Sequence, residues 1–170
     1  MKKLSLVSAL FLAVTTVTAM SEDAQRLLKF FSYFEGTWEL TDQDSGEKGT
    51  MIITLGAGGT SHILTLKLGD MERTELWGYN PATGKWMAAG FGNDGERFTQ
   101  VMENVPGHER PRPGDQWLDR HEGTLPSGEK TSAQLAFTID SEDQYTVVST
   151  KIQIGDQSLP DNTLICTRKD

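Results

Sequence analysis

The sequence offers few side chains with ready chemistry at neutral pH: three histidines and one cysteine. His62 stands in Ser61-His62-Ile63-Leu64, on a leucine-rich stretch. An imidazole there serves either as a hydrogen-bonded core residue or as a ligand to haem iron or another metal. His121 follows Asp119 by two residues, which sets a general base beside an orienting carboxylate if both project from one strand. The same spacing also describes two plain neighbours on a strand, and both readings stand. His108-Glu109 and His121-Glu122 each begin like His-Glu-x-x-His, but neither has the second histidine of a zinc protease. With one cysteine and scattered histidines, a structural zinc set is not expected, and no metal site is assigned. Cys166 lies near the end of an apolar run, as a buried, inert thiol would.

Two further patterns are weaker than they look. Gly90-Phe91-Gly92-Asn93-Asp94-Gly95 spells Gly-x-Gly-x-x-Gly, but a dinucleotide site needs that spacing between a strand and a helix. Here it reads as a hairpin turn between strands. There is no Gly-x-Ser-x-Gly elbow for a serine nucleophile, and no catalytic residue is assigned.

These residues need elements to position them. A helix is predicted after Ser21, a capping residue, with Glu22 and Asp23 at the positive end of its dipole and Gly36 just past its end. Ala24, Leu27, Leu28, Phe31 and Phe34 recur at three- and four-residue steps, and Phe30 widens that apolar face. Beyond Gly36 the period becomes 2. Strands are predicted over 37–43, 48–55, 61–68, 71–79, 85–91, 96–103, 116–124, 130–139, 144–154 and 162–168. Turn clusters rich in Gly, Asn and Asp separate them. About ten short strands with hairpin spacing form an antiparallel meander, and closing it into an up-and-down β-barrel removes the unpaired edges. One connection is long, 104–115, holding Pro106, Pro111 and Pro113 together with Arg110 and Arg112. Such a loop is either a binding loop or a solvated tie.

Strand parity then sorts the candidates. His62 shares a face with Leu64, Leu66 and Leu68; Trp77 and Tyr79 share one with Arg73 and Glu75; Trp117, Asp119 and His121 share another. If these faces point inward, the barrel holds a partly apolar cavity lined by Trp77, Tyr79, Trp117, His121, Arg73, Glu75 and His62. The long loop is expected near its mouth, where Arg110 and Arg112 would meet an anionic ligand or simply solvent.

The chain ends its first segment as an export signal would. Residues 1–19 carry Lys2 and Lys3, an apolar run, and Val17-Thr18-Ala19 with small residues at the −3 and −1 positions of a cleavage site. Residues 20–170 are expected to form a single domain. The formal net charge is −8, and loss of the two leader lysines makes it more negative. A surface that acidic repels phosphate backbones, so nucleic acid is not an expected partner, and no membrane span is expected once the leader is removed. With one cysteine no intrachain disulfide can form, so packing alone must stabilise the domain.

Glu35-Gly36-Thr37-Trp38, between the predicted helix and the meander, resembles the start of lipocalin-like (calycin-like) barrels. The resemblance implies structural roles for Gly36, Trp38 and Arg168. In that group the Trp packs across the closed end beneath a basic side chain of the last strand, and Arg168 is the arginine that matches. A guanidinium over an indole gains cation–π energy. The stretch Leu76-Trp77-Gly78-Tyr79-Asn80-Pro81-Ala82-Thr83-Gly84-Lys85-Trp86 is similar to the central hairpin of a family of small exported bacterial lipocalin-like domains of unknown function. Asn93-Asp94-Gly95 matches its following turn. The resemblance covers most of the chain after the leader and implies an architecture rather than an activity.

The expectation is therefore an exported bacterial protein, periplasmic or secreted, monomeric, that binds a small apolar or amphipathic molecule inside the barrel. No cofactor is expected, with haem as the alternative. Two other functions remain open: a barrel enzyme using His121 with Asp119 or Glu75, and a filled barrel acting through its surface as an inhibitor or interaction module.

Overall fold

The computed structural model describes residues 20–169, so the leader expected over 1–19 lies outside the described residues. The chain enters through α1 (Glu22–Phe31). Ser21 Oγ accepts the Ala24 amide at 3.2 Å, and Glu22 and Asp23 occupy the first turn. The three-four spacing places Ala24, Leu27, Phe30 and Phe31 on one buried face. A 3-10 turn, Ser32–Phe34, tightens the exit, and Gly36 opens the first strand at φ 123°. A Cβ at Gly36 would also stand 3.1 Å from Arg168 Nη1, so glycine alone lets the helix turn and the barrel wall meet here.

Period-2 patterning then runs through β1 (Gly36–Asp42), β2 (Lys48–Leu55), β3 (Ser61–Leu68), β4 (Met71–Asn80), β5 (Lys85–Gly92), β6 (Arg97–Glu103), β7 (Gln116–Thr124), β8 (Lys130–Ile139) and β9 (Gln144–Ile154). After the two-residue β10 (Gln157–Ser158), β11 (Asn162–Arg168) returns between β9 and β1. Each strand pairs antiparallel with its neighbour, and the β8–β9 and β11–β1 pairings complete the circle. The described residues thus form a closed antiparallel barrel of ten strands with one short N-terminal helix, consistent with a lipocalin-like barrel. Closure leaves no long edge for another chain to extend. Only β10, a short hairpin arm paired to the end of β9, has no counterpart among the predicted strands. The β8–β9 ladder slips between Ser132 and Gln134, opposite Lys151 at φ 52°, a bulge that bends the wall there.

The helix fills one end. Phe31 stacks on Trp86 with centroids 5.1 Å apart and meets Trp77 and Trp117 edge-on at 6.0 and 6.2 Å. Phe34 meets Tyr145 edge-on at 5.0 Å. Such pairs add about 0.5–1.5 kcal/mol each beyond the area they bury. Trp38 is fully buried beneath the plug and donates from Nε1 to Phe34 O at 2.8 Å. Arg168 places its guanidinium 4.2 Å from the Trp38 ring and donates to Glu35 O at 2.8 Å and Tyr33 O at 2.5 Å.

The long connection 104–115 lies at this closed end, not at the pocket mouth where it was expected. Arg26 Nη1 donates to Pro106 O at 2.7 Å, Lys29 pairs with Glu109 at 2.7 Å, and His108 packs beside Phe30. The reason is strand parity. In an up-and-down barrel that starts at the closed end, every even-numbered strand returns there, and the loop follows β6. Arg110 and Arg112 go with it. His108 Nε2 lies 2.6 Å from Asp115 Oδ2, which ties the loop to itself.

Candidate functional site

Because the aromatic plug occupies one half of the barrel, the other half holds a cavity of about 340 Å³. Small side chains at Ala133 and Ser149 help to keep it clear. The interior is therefore not packed solid. Its walls differ in chemistry. Met51, Leu64, Leu66, Leu135, Val147 and Leu164 make an apolar side from β2, β3, β8, β9 and β11. Arg73 and Glu75 on β4, Gln100 on β6 and His121 on β7, with Glu96 from the turn before β6, make a polar side. Trp77 lies at the floor, where plug and cavity meet.

The polar side is organised around Glu96. Its side chain is 3% exposed, and its Oε2 accepts from Arg73 Nη2 at 3.0 Å. His121 Nε2 lies 3.1 Å from Oε1, and the Thr131 hydroxyl donates to the same oxygen. Burial would raise the Glu96 pKa, but the bonds from His121 and Thr131 and the Arg73 charge outweigh it and bring it down to about 2. Arg73 also spreads its guanidinium 5.0 Å from the centre of the Phe98 ring, which in turn packs 4.9 Å from the His121 ring. Gly90, opposite Phe98, makes room for this stack: a Cβ there would stand 2.7 Å from the Phe98 ring and 2.4 Å from Thr74 O.

Deeper in, Glu75 is 6% exposed and accepts the Trp77 indole N–H on Oε2 at 2.7 Å. Asp119, 2% exposed, has its Oδ1 buried without a partner among the described residues. Burial raises the pKa of both carboxyls, Asp119 strongly and with a further rise from the Glu75 charge. Cys166 also reaches the cavity wall, but burial pushes its thiol up to about 12, so it stays protonated and unreactive at neutral pH.

Of the residues proposed from the sequence, Arg73, Glu75, Trp77 and His121 line this one cavity. Tyr79, Trp117 and His62 do not. Trp117 packs under the helix against Phe30 and Phe137 at 5.6 and 4.9 Å. His62 is fully buried beside Trp86 and bonds through Nε2 to Glu35 Oε1 at 3.1 Å; burial lowers its pKa. Tyr79 is half-buried next to the Trp86 position, at the end of β4. The partner of His121 also differs from expectation: it is Glu96 across the sheet, not Asp119 or Glu75. Glu96 opens the predicted strand 96–103 but is not among the residues proposed for the site. Its parity with Phe98 and Gln100 is the signal that could have found it.

A histidine beside a carboxylate is the geometry of a base with its orienting group. Among the described residues the cavity offers no activated nucleophile beside it, and no group of three or more metal-ligating side chains is assembled. No protein-family model and no curated protein matches this chain.

Proposed function

We propose that the protein binds a small amphipathic molecule in the open half of the barrel and carries or senses it without changing it. The observation that carries this reading is the two-sided cavity: about 340 Å³, with hydrocarbon on one side and fixed hydrogen-bonding groups on the other. Pockets of this size and composition hold small ligands by burying an apolar body while a few polar groups orient it. The features of residues 1–19 and the resemblance to small exported lipocalin-like domains support an exported role, in a bacterial periplasm or medium. The acidic composition supports a monomer that avoids nucleic acid and anionic surfaces.

The test uses N-phenyl-naphthylamine, an uncharged probe that fluoresces on entering an apolar site. The protein is expected to bind it, and Leu135→Trp, which fills the cavity with an indole, is expected to weaken binding by about tenfold or more while leaving the melting temperature in place. Equal binding by both proteins would place the probe elsewhere and overturn the reading.

A further inference from the structure

The cavity is rich in acids and short of free cations. Among the described residues, Glu75, Asp94 and Glu96 line it, against one guanidinium, Arg73. That guanidinium and the His121 ring are both engaged by Glu96, at 3.0 and 3.1 Å. Glu96 is thereby satisfied by groups on β4, β7 and β8, and neither it nor its partners asks for a ligand of opposite charge.

Glu75 is different. It lies deeper, is nine-tenths buried, and forms no ion pair among the described residues. The Trp77 indole holds Oε2 at 2.7 Å and so fixes the carboxyl at the floor, while no described residue donates to Oε1. Behind it stands Asp119, a second buried carboxyl, which feels the Glu75 charge and whose Oδ1 accepts no hydrogen bond within normal distance among the described residues. The Trp77 ring is part of the same floor, and an aromatic face attracts a cation. Glu75, a buried carboxyl with no ion-pair partner among the described residues, and an indole therefore meet where the apolar wall ends.

We infer that the cavity selects a cationic amphiphile, an amine carried on an apolar body, with its ammonium held by Glu75 against the Trp77 ring. This rests on the binding reading above and names the head group that the site recognises. An ammonium supplies the missing counter-ion and donates to the open carboxyl oxygen. A hydroxyl head gains a hydrogen bond but no charge pairing. A carboxylate head meets like charge with no unengaged cation among the described lining residues to offset it.

Decylamine, decanol and decanoate share one chain length and differ only in the head, so their displacement of N-phenyl-naphthylamine below their micelle concentrations reads the preference directly. Decylamine is expected to bind tightest and decanoate weakest. Glu75→Gln keeps an oxygen for the Trp77 indole and is expected to weaken decylamine by about thirtyfold or more, leaving decanol unchanged. The inference is overturned if decanol or decanoate equals decylamine on the unaltered protein, or if decylamine keeps its affinity in the variant. The ranking on the unaltered protein decides the matter even if the variant folds poorly. Failure of all three to displace the probe would overturn the binding reading along with it, whereas decanol binding as well as decylamine would overturn the head-group inference alone.

Discussion

Glu96 and Asp119 respond to acid in opposite senses although both are buried in one barrel. Glu96 holds its proton more weakly in the folded state, with its pKa brought from 4.5 to about 2. Its stabilising contribution is complete above the unfolded value and is lost as pH falls toward about 2. Asp119 holds its proton more tightly in the folded state. Its contribution is present below the unfolded value of 3.8 and declines as pH rises from there toward its raised folded value. Asp119→Asn is therefore expected to gain stability relative to the natural protein as pH rises from about 4 to about 8, measured as the difference in urea midpoint. A difference that stays constant over that range would mean that Asp119 is not a buried, proton-retaining carboxyl.

At this scale the sequence was informative where alternation decides and silent where depth decides. Alternation along β4 is enough to place Arg73, Glu75 and Trp77 on the inner face, and the cavity takes all three. The same alternation places His62, Tyr79 and Trp117 inward, but whether an inward residue meets a cavity or a plug depends on how far the helix enters. Nothing local to those residues encodes that. The Glu96 cluster was illegible for a related reason: its partners come from β4, β7 and β8, far away in sequence.

Among the elements, α1 decides where the barrel is full and where it is open. Its apolar spacing was readable, and so were the strands, since Gly-rich turns and period-2 runs mark both ends of each. The side on which each loop falls follows from counting strands, which is why 104–115 belongs to the closed end with the helix. Phe31 is the centre of the plug, touching Phe30, Phe34, Trp77, Trp86 and Trp117. Phe31→Ala is expected to cost about 3–5 kcal/mol in urea unfolding and to shift tryptophan emission to longer wavelength as water reaches the indoles. A loss below about 1 kcal/mol would show that the helix merely rests on the barrel. Arg168 serves the same junction from the last strand, binding two carbonyls of the turn and covering Trp38.

For the whole molecule, closure of the sheet is what makes an interior available at all, and the asymmetric filling of that interior leaves one open half. The outside carries a competing apolar surface. Ile52, Ile63, Leu76 and Phe91 are 44%, 41%, 56% and 63% exposed on β2 to β5, and Ile63 and Leu76 stand directly opposite each other. An apolar molecule could adhere there without entering the barrel, so the central claim is about location. Methyl-resolved NMR during titration with decylamine separates the two sites. The account predicts that the methyl signals of Leu64, Leu66, Leu135, Val147 and Leu164 move together and saturate, while those of Ile52, Ile63 and Leu76 stay in place. Movement confined to the outer three, with the inner methyls unchanged, would contradict it.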